Sequence, residues 1–180
     1  MPGWTRRGCK GAGLIWARMQ GAVLLLAQME GAVLIDAQMQ GANLGGARMQ
    51  EADLGEARML GANLREAQME GANLFGAWML GADLSWARMQ GANLWAARMD
   101  AYTRLDEAEF RGAGLLDLDW SRMPISQGQI DAAFGDGSVI LPAGLNRPAH
   151  WPQGELDEDD FDPEWRKWQS DPAAFTPPAP

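Results

Sequence analysis

Reactive side chains are scarce in this sequence. Its 180 residues include one cysteine, Cys9, one histidine, His150, and one tyrosine, Tyr102. A single cysteine excludes an internal disulfide framework and suits a reducing compartment. Cys9 also has no histidine near it in sequence, and a catalytic thiol needs a base to activate it. Long apolar runs are missing as well. The longest, Ala22-Val23-Leu24-Leu25-Leu26-Ala27, falls far short of the roughly 20 residues that span a membrane as a helix. The basic N-terminus, with Arg6 and Arg7, leads into no continuous apolar stretch, so no signal peptide is expected.

Net charge is uneven along the chain. Residues 1–100 hold nine Lys or Arg and nine Asp or Glu, whereas residues 101–180 hold six and fifteen, which accounts for the whole formal charge of -9. A basic stripe that would hold nucleic acid is therefore not expected.

What the sequence has in abundance is repetition. Ala fills every fifth position from Ala12 to Ala97, and two residues after each Ala stands Leu or Met in alternation, from Leu14 and Met19 to Leu94 and Met99. These are good helix formers, but the period excludes a helix. A five-residue step turns a side chain about 140° around a helix axis, which scatters the Leu and Met set over every face. The recurring Gly would cost a further ~1 kcal/mol each in a helix interior. An extended five-residue unit behaves differently. Ala and Leu, two apart, point the same way and face inward, while the Gly that recurs about every tenth residue, just before an Ala, suits a tight corner. Four units make a 20-residue coil in which like stacks on like: Leu14, Leu34, Leu54, Leu74 and Leu94 in one column, Met19, Met39, Met59, Met79 and Met99 in another. At the β spacing of about 4.8 Å, roughly five and a half coils give a rod of roughly 26 Å.

The units Ala42-Asn43-Leu44, Ala52-Asp53-Leu54, Ala62-Asn63-Leu64, Ala72-Asn73-Leu74, Ala82-Asp83-Leu84 and Ala92-Asn93-Leu94 resemble the pentapeptide-repeat family of bacterial proteins. The resemblance implies an all-β fold, a right-handed quadrilateral β-helix, here with a short helical and irregular C-terminal extension. Met on every second side departs from the family's usual Leu or Phe. Because Met is adaptable, the same coil with a softer core is expected. After Met99 the register slips by one residue and resumes at Thr103-x-Leu105, which places a bulge at Asp100-Ala101-Tyr102. Inward Leu118 and Trp120 suggest that the coil then closes.

The division expected is a lead-in over 1–11, the repeat rod over 12–122, a cap segment over 123–151 and an acidic, Pro-rich, partly disordered tail over 152–180. In the cap, Ser126-Gln127-Gly128-Gln129 reads as a capping box opening a short helix to about Ala133. A turn at Gly135-Asp136-Gly137 and an extended piece at Val139–Pro142 follow. Gly135-Asp136 followed by Leu141–Trp151 is similar to the tail that follows the repeats in many bacterial members. In the acidic tail, Asp162-Pro163 reads as N-cap and first position of a two-turn helix.

No residue set reads as catalytic, cofactor-binding or metal-binding. His150 is expected in a structural or solvated role. The acidic run Glu155 to Asp162 lacks the Gly and terminal Glu of a calcium loop and reads as a solvated charge run. Outward apolar residues are the stronger feature. Ile15, Trp16, Val23, Leu25, Leu26, Val33 and Ile35 crowd the first two coils, and Phe75, Trp78, Trp86 and Trp95 follow on adjoining sides. Such concentrations mark interaction surfaces. Another chain, a membrane domain outside this sequence or the chain's own termini would each cover the first group, and the C-terminal segment would cover the aromatics.

The function expected is a non-catalytic protein-interaction scaffold in the cytoplasm. A protein partner or self-association is expected, with no cofactor and no nucleic acid. Any membrane association would come through a partner or a further N-terminal domain. The alternative, implied by the resemblance to gyrase-directed quinolone-resistance members, is a DNA-mimicking regulator of a type II topoisomerase. That mechanism needs a rod negative along its length, which the neutral first hundred residues and outward Arg48, Arg58, Arg88 and Arg98 do not supply.

Overall fold

The structure, a computed structural model, describes residues 9–178. From Gly13 onward the chain coils upon itself every twenty residues. Parallel bridges join Gly13 to Val33, Arg18 to Gln38, Val23 to Asn43 and Gln28 to Arg48, and the series repeats through the rod. Each bridge is a pair of bonds, such as the Leu14 N–H on the Val33 carbonyl at 2.7 Å and the Val33 N–H on the Ala12 carbonyl at 2.9 Å. A bridge every five residues gives each turn four columns. The paired Ala, Leu and Met side chains fill the axis, and from Ala32 to Leu94 they are almost entirely buried. Burying one Leu or Met stabilises by about 1.5–3 kcal/mol relative to exposure, which explains why the coil overrides helix propensity.

Corners are closed by a bond from each Ala N–H to the carbonyl three residues back, as in Ala47 to Leu44 at 2.9 Å. The residue before that Ala takes a left-handed backbone: Gly41 and Gly61 lie at φ 63° and 61°, where glycine meets no Cβ penalty. Larger residues occupy the same corner elsewhere, including Trp16, Leu26, Glu51, Glu56 and Trp86. Asn43, Asp53 and Asn73 each tie their coil to the next. Asn43 Oδ1 accepts the Gly45 N–H at 3.2 Å and the Asn63 side-chain amide at 3.0 Å, and Asp53 does the same with Gly55 and Asn73.

The register slip is where the sequence places it, for Asp83 now bridges Arg104 and Arg88 bridges Glu109, one residue late. Asp100 staples the extra residue. Its Oδ1 accepts the Gly81, Tyr102 and Thr103 N–H groups at 3.0–3.1 Å, while buried Thr103 donates its hydroxyl to the Met79 carbonyl at 3.0 Å. Burial pushes the Asp100 carboxyl up. Hydrogen bonds from Gly81, the Thr103 hydroxyl, Tyr102 and the Thr103 N–H outweigh it and hold the group below the ordinary carboxylate value. A carboxylate held low in the folded state adds stability above its unfolded pKa of about 4, and the addition is lost as pH falls through the lower folded value. Asp100→Asn is therefore expected to lower the urea midpoint at pH 7, with the gap to the parent chain narrowing below about pH 4. A gap that stays constant with pH would show that the Asp100 charge has no part in the staple.

Coiling continues past residue 122. Strand β1, Gly114–Leu115, pairs in parallel with strand β2, Phe134–Gly135, and Asp119 bridges Ile140. Between them helix α1, Gln127–Asp131, starts from Ser126 with both bonds of the capping box in place. Gly135 thus belongs to a short strand rather than wholly to a turn. It stands where a repeat would have Leu, and Trp151 fills the space: a Cβ on Gly135 would fall 2.8 Å from its ring. In the tail, helix α2 runs Glu158–Ser170 from an Asp157 N-cap and passes through Pro163. The expected N-cap at Asp162 is corrected. Phe161, Trp165 and Trp168, spaced as one helical face, anchor α2 against the rod and outweigh the one backbone bond that Pro163 forfeits. The acidic run opens this helix, where carboxylates suit the positive end of its dipole.

Candidate interaction surfaces

A twenty-residue turn places positions ten apart on opposite sides of the rod. Ile15, Trp16, Val33, Ile35, Phe75 and Trp95 therefore share the first side and the corner that ends it, while Val23, Leu25 and Leu26 look out from the third, with Trp86 at that side's corner. The residues that crowd the first two coils form two surfaces back to back, not one patch. Trp16 and Val23 are each 71% exposed, Leu26 58%, Leu25 56% and Ile15 48%, so no described residue covers them. Val33 and Ile35 are half-buried within their own stack.

The third side has a groove because glycine follows leucine in the stack. Leu25 and Leu26 lean over Gly45 and Gly46, and a Cβ on Gly46 would fall 2.8 Å from Leu26 Cδ2. Beyond them Asn63, Arg65 and Glu66 complete a groove of about 260 Å³. Its far rim is charged. Burial raises the Asp83 carboxyl, but bonds from the Ser85 hydroxyl and N–H, with Arg104 and Arg65 nearby, bring it below its usual value.

The aromatic residues divide three ways. Trp78, in the second column, lies between Arg58 and Arg98, whose guanidinium carbons stand 5.9 and 4.3 Å from the ring centroid. Trp95 packs into the cluster beneath α2 with Leu116, Phe134, Phe161 and Trp168, and Phe75 meets its ring edge-on. Trp86 alone of the three tryptophans is largely exposed, at 54%. Cover by the C-terminal segment thus accounts for Trp95 and not for Trp86.

His150 stacks on Trp168 with planes 4° apart, and its Nε2 donates to the Ala133 carbonyl at 2.8 Å. Cys9 lies half-buried at the start of the rod, where Leu14, Met19, Leu24 and Met29 line an apolar hollow of about 120 Å³. Among the described residues no group of three or more His, Cys, Asp or Glu converges to hold a metal ion, and no helix is long and apolar enough to cross a membrane.

Known proteins supply further context. The chain is similar to HetL, a pentapeptide repeat protein involved in heterocyst differentiation regulation in the cyanobacterium Nostoc sp. strain PCC 7120. The two are 23% identical, the match covers 83% of this chain and 78% of HetL, and the TM-score is 0.51. Another Nostoc PCC 7120 pentapeptide repeat protein, alr5209, is 27% identical over 62% of this chain and 82% of its own, with a TM-score of 0.39. QnrB1, a plasmid-mediated fluoroquinolone resistance protein, is 20% identical over 85% and 84%, with a TM-score of 0.31. The likeness to HetL is one of fold. No protein of curated function matches the chain. The signature of pentapeptide repeats matches in eight copies, over residues 12–51, 42–77 and 67–101. Half of the sequence is thus matched and folded as stacked coils, and the chain belongs to the pentapeptide repeat family, with the β-helix solenoid that its solved members share.

Proposed function

We propose that the protein is a non-catalytic interaction rod, a right-handed, four-sided β-helix that presents apolar side chains to a protein partner or to a second copy of itself. The contrast between its two ends supports this reading most. At the C-terminal end α1, the partial coil, Trp151 and α2 cover the core. Over the first two coils no described residue covers Trp16, Val23, Leu25 and Leu26. Leaving such area in water forgoes roughly 25 cal/mol per Å², and concentrated patches of this kind mark sites of association.

Light scattering on the purified chain is expected to give a mass above the monomer, or affinity capture from the source cell to retain a partner. Leu25→Asp/Leu26→Asp and Trp16→Asp are expected to reduce that association. A chain that stays monomeric and captures nothing would overturn the reading. Topoisomerase mimicry ranks below it, since residues 12–122 carry nine Arg against fourteen Asp and Glu and so present mixed charge. Inhibition of gyrase supercoiling at low protein concentration would reverse that order.

A further inference from the structure

Apolar side chains on the first side of the rod fall in one line. Ile15, Ile35, Phe75, Trp95 and Leu116 hold the same place in successive coils, with Gly55 between Ile35 and Phe75. The C-terminal part of this line already has an occupant. Helix α2 brings Phe161, Trp165 and Trp168 into one cluster with Trp95, Leu116 and Phe134. Gly114 makes room for it, since a Cβ there would meet the Trp165 ring at 2.8 Å. Trp165 Nε1 and Gln169 Nε2 then donate to the Gly112 carbonyl at 2.9 and 2.7 Å. From Trp95 the contact passes directly to Phe75, with ring centroids 5.2 Å apart. Beyond Phe75 no helix of the described residues follows: Ile35 and Phe75 are buried only in part, and Ile15 and Trp16 are exposed.

Charge tells the two parts of the line apart. Asp36, Glu51, Asp53 and Glu56 border the bare stretch, and among the described residues none of the four is in an ion pair. Helix α2 bears Asp159, Asp160, Asp162 and Glu164 against Arg166 and Lys167, so a second acidic helix of its kind would meet like charge here. We propose that the stretch from Ile15 to Phe75 docks a basic amphipathic helix of a partner protein. This rests on the interaction-rod reading and names the partner's chemistry. Three coil rises of ~4.8 Å separate the ends of the stretch, a length of about ten helical residues. The apolar seam of such a helix takes the place that Phe161, Trp165 and Trp168 hold farther along, and its lysines or arginines face the four carboxylates. Opposite charges across an interface fix partner choice and register.

The test uses the full chain and two labelled peptides. One is residues 157–171 with Asp159→Lys, Asp160→Lys, Asp162→Lys and Glu164→Lys, and the other is the unaltered 157–171. Fluorescence anisotropy is expected to show the lysine peptide binding about tenfold or more tightly than the unaltered one, with the advantage shrinking from about 50 to about 300 mM salt. Glu51 and Glu56 are exposed corner residues, so Glu51→Lys/Glu56→Lys is expected to keep the circular dichroism and melting of the parent while reversing the preference between peptides. Equal binding of the two peptides, or a preference unmoved by that double variant, overturns the proposal. If binding is instead lost only in Leu25→Asp/Leu26→Asp, the helix site falls and the interaction rod stands. If no peptide binds, no partner is captured and the chain is monomeric, both fall.

Discussion

Leu64→Ala is expected to lower the unfolding free energy by about 2–5 kcal/mol, and Met59→Leu by less than about 1.5 kcal/mol. Both side chains are fully buried on the axis, so exposure does not distinguish them; the cavity does. Leu64 lies between Leu44 and Leu84 in its column, and its coil is held on both sides by the bridges Asn43 to Asn63 and Asn63 to Asp83. Those bridges fix the spacing of the backbones, so the coils cannot close on the space that a missing isobutyl group leaves. Met59→Leu exchanges one side chain for another of similar volume among flexible Met neighbours, which can repack. A solenoid's stability is close to a sum of repeat and nearest-neighbour terms, so the Leu64→Ala loss stays near the third coil and its neighbours, the second and fourth. Urea unfolding followed by far-ultraviolet circular dichroism measures both variants. A Leu64→Ala cost under about 1 kcal/mol would mean that the axis is loosely filled, and the repeat argument would lose its energetic basis.

The rod was legible because one short period controls everything near its axis. Ala-x-Leu and Ala-x-Met name the inward positions without tertiary information, and Thr103-x-Leu105 shows where the phase slips. Surfaces were harder. Val23, Leu25 and Leu26 stand next to Ile15 and Trp16 in the sequence and half a turn from them in space, so proximity along the chain misled. The sequence offers a signal that would have separated them: ten residues is half of twenty. Left-handed corners at Trp16, Leu26 and Trp86 carry no local mark, for nothing in those side chains asks for such a backbone. The role of Asn43 and Asp53 in tying coil to coil could have been inferred from their stacking at twenty-residue intervals. The start of helix α2 is not legible locally because Pro163 suits a first position, whereas the deciding contact, Phe161 on Phe134 at 5.5 Å between ring centroids, joins residues far apart in sequence.

Trp151→Ala is expected to cost about 3–5 kcal/mol and to open the C-terminal end of the rod while leaving its middle intact. Trp151 is fully buried, donates its indole N–H to the Ala133 carbonyl at 2.8 Å and lies against Gly135. It supplies from outside the repeat the bulk that the last partial coil lacks on its axis. Arg147, whose guanidinium carbon lies 5.8 Å from the Trp151 ring centroid, donates to the carbonyls of Asp136, Gly137 and Val139. Those carbonyls belong to the coil's final edge, where no further coil of the described residues donates N–H groups to them, and a buried orphan carbonyl costs about 1–3 kcal/mol. Removing the indole withdraws the ring that backs both Gly135 and Arg147. Amide exchange is expected to quicken at Phe134 and Ile140 and stay slow at Asn63 and Gln68, because each coil touches only its neighbours. Gly135 has no left-handed constraint, but a Cβ there would also lie 3.0 Å from the Leu115 carbonyl oxygen, so Trp151→Ala/Gly135→Leu is not expected to recover the loss. If Trp151→Ala costs under about 1 kcal/mol, or exchange quickens evenly along the rod, Trp151 is not the plug and the end is held by α1 and the Arg147 bonds alone.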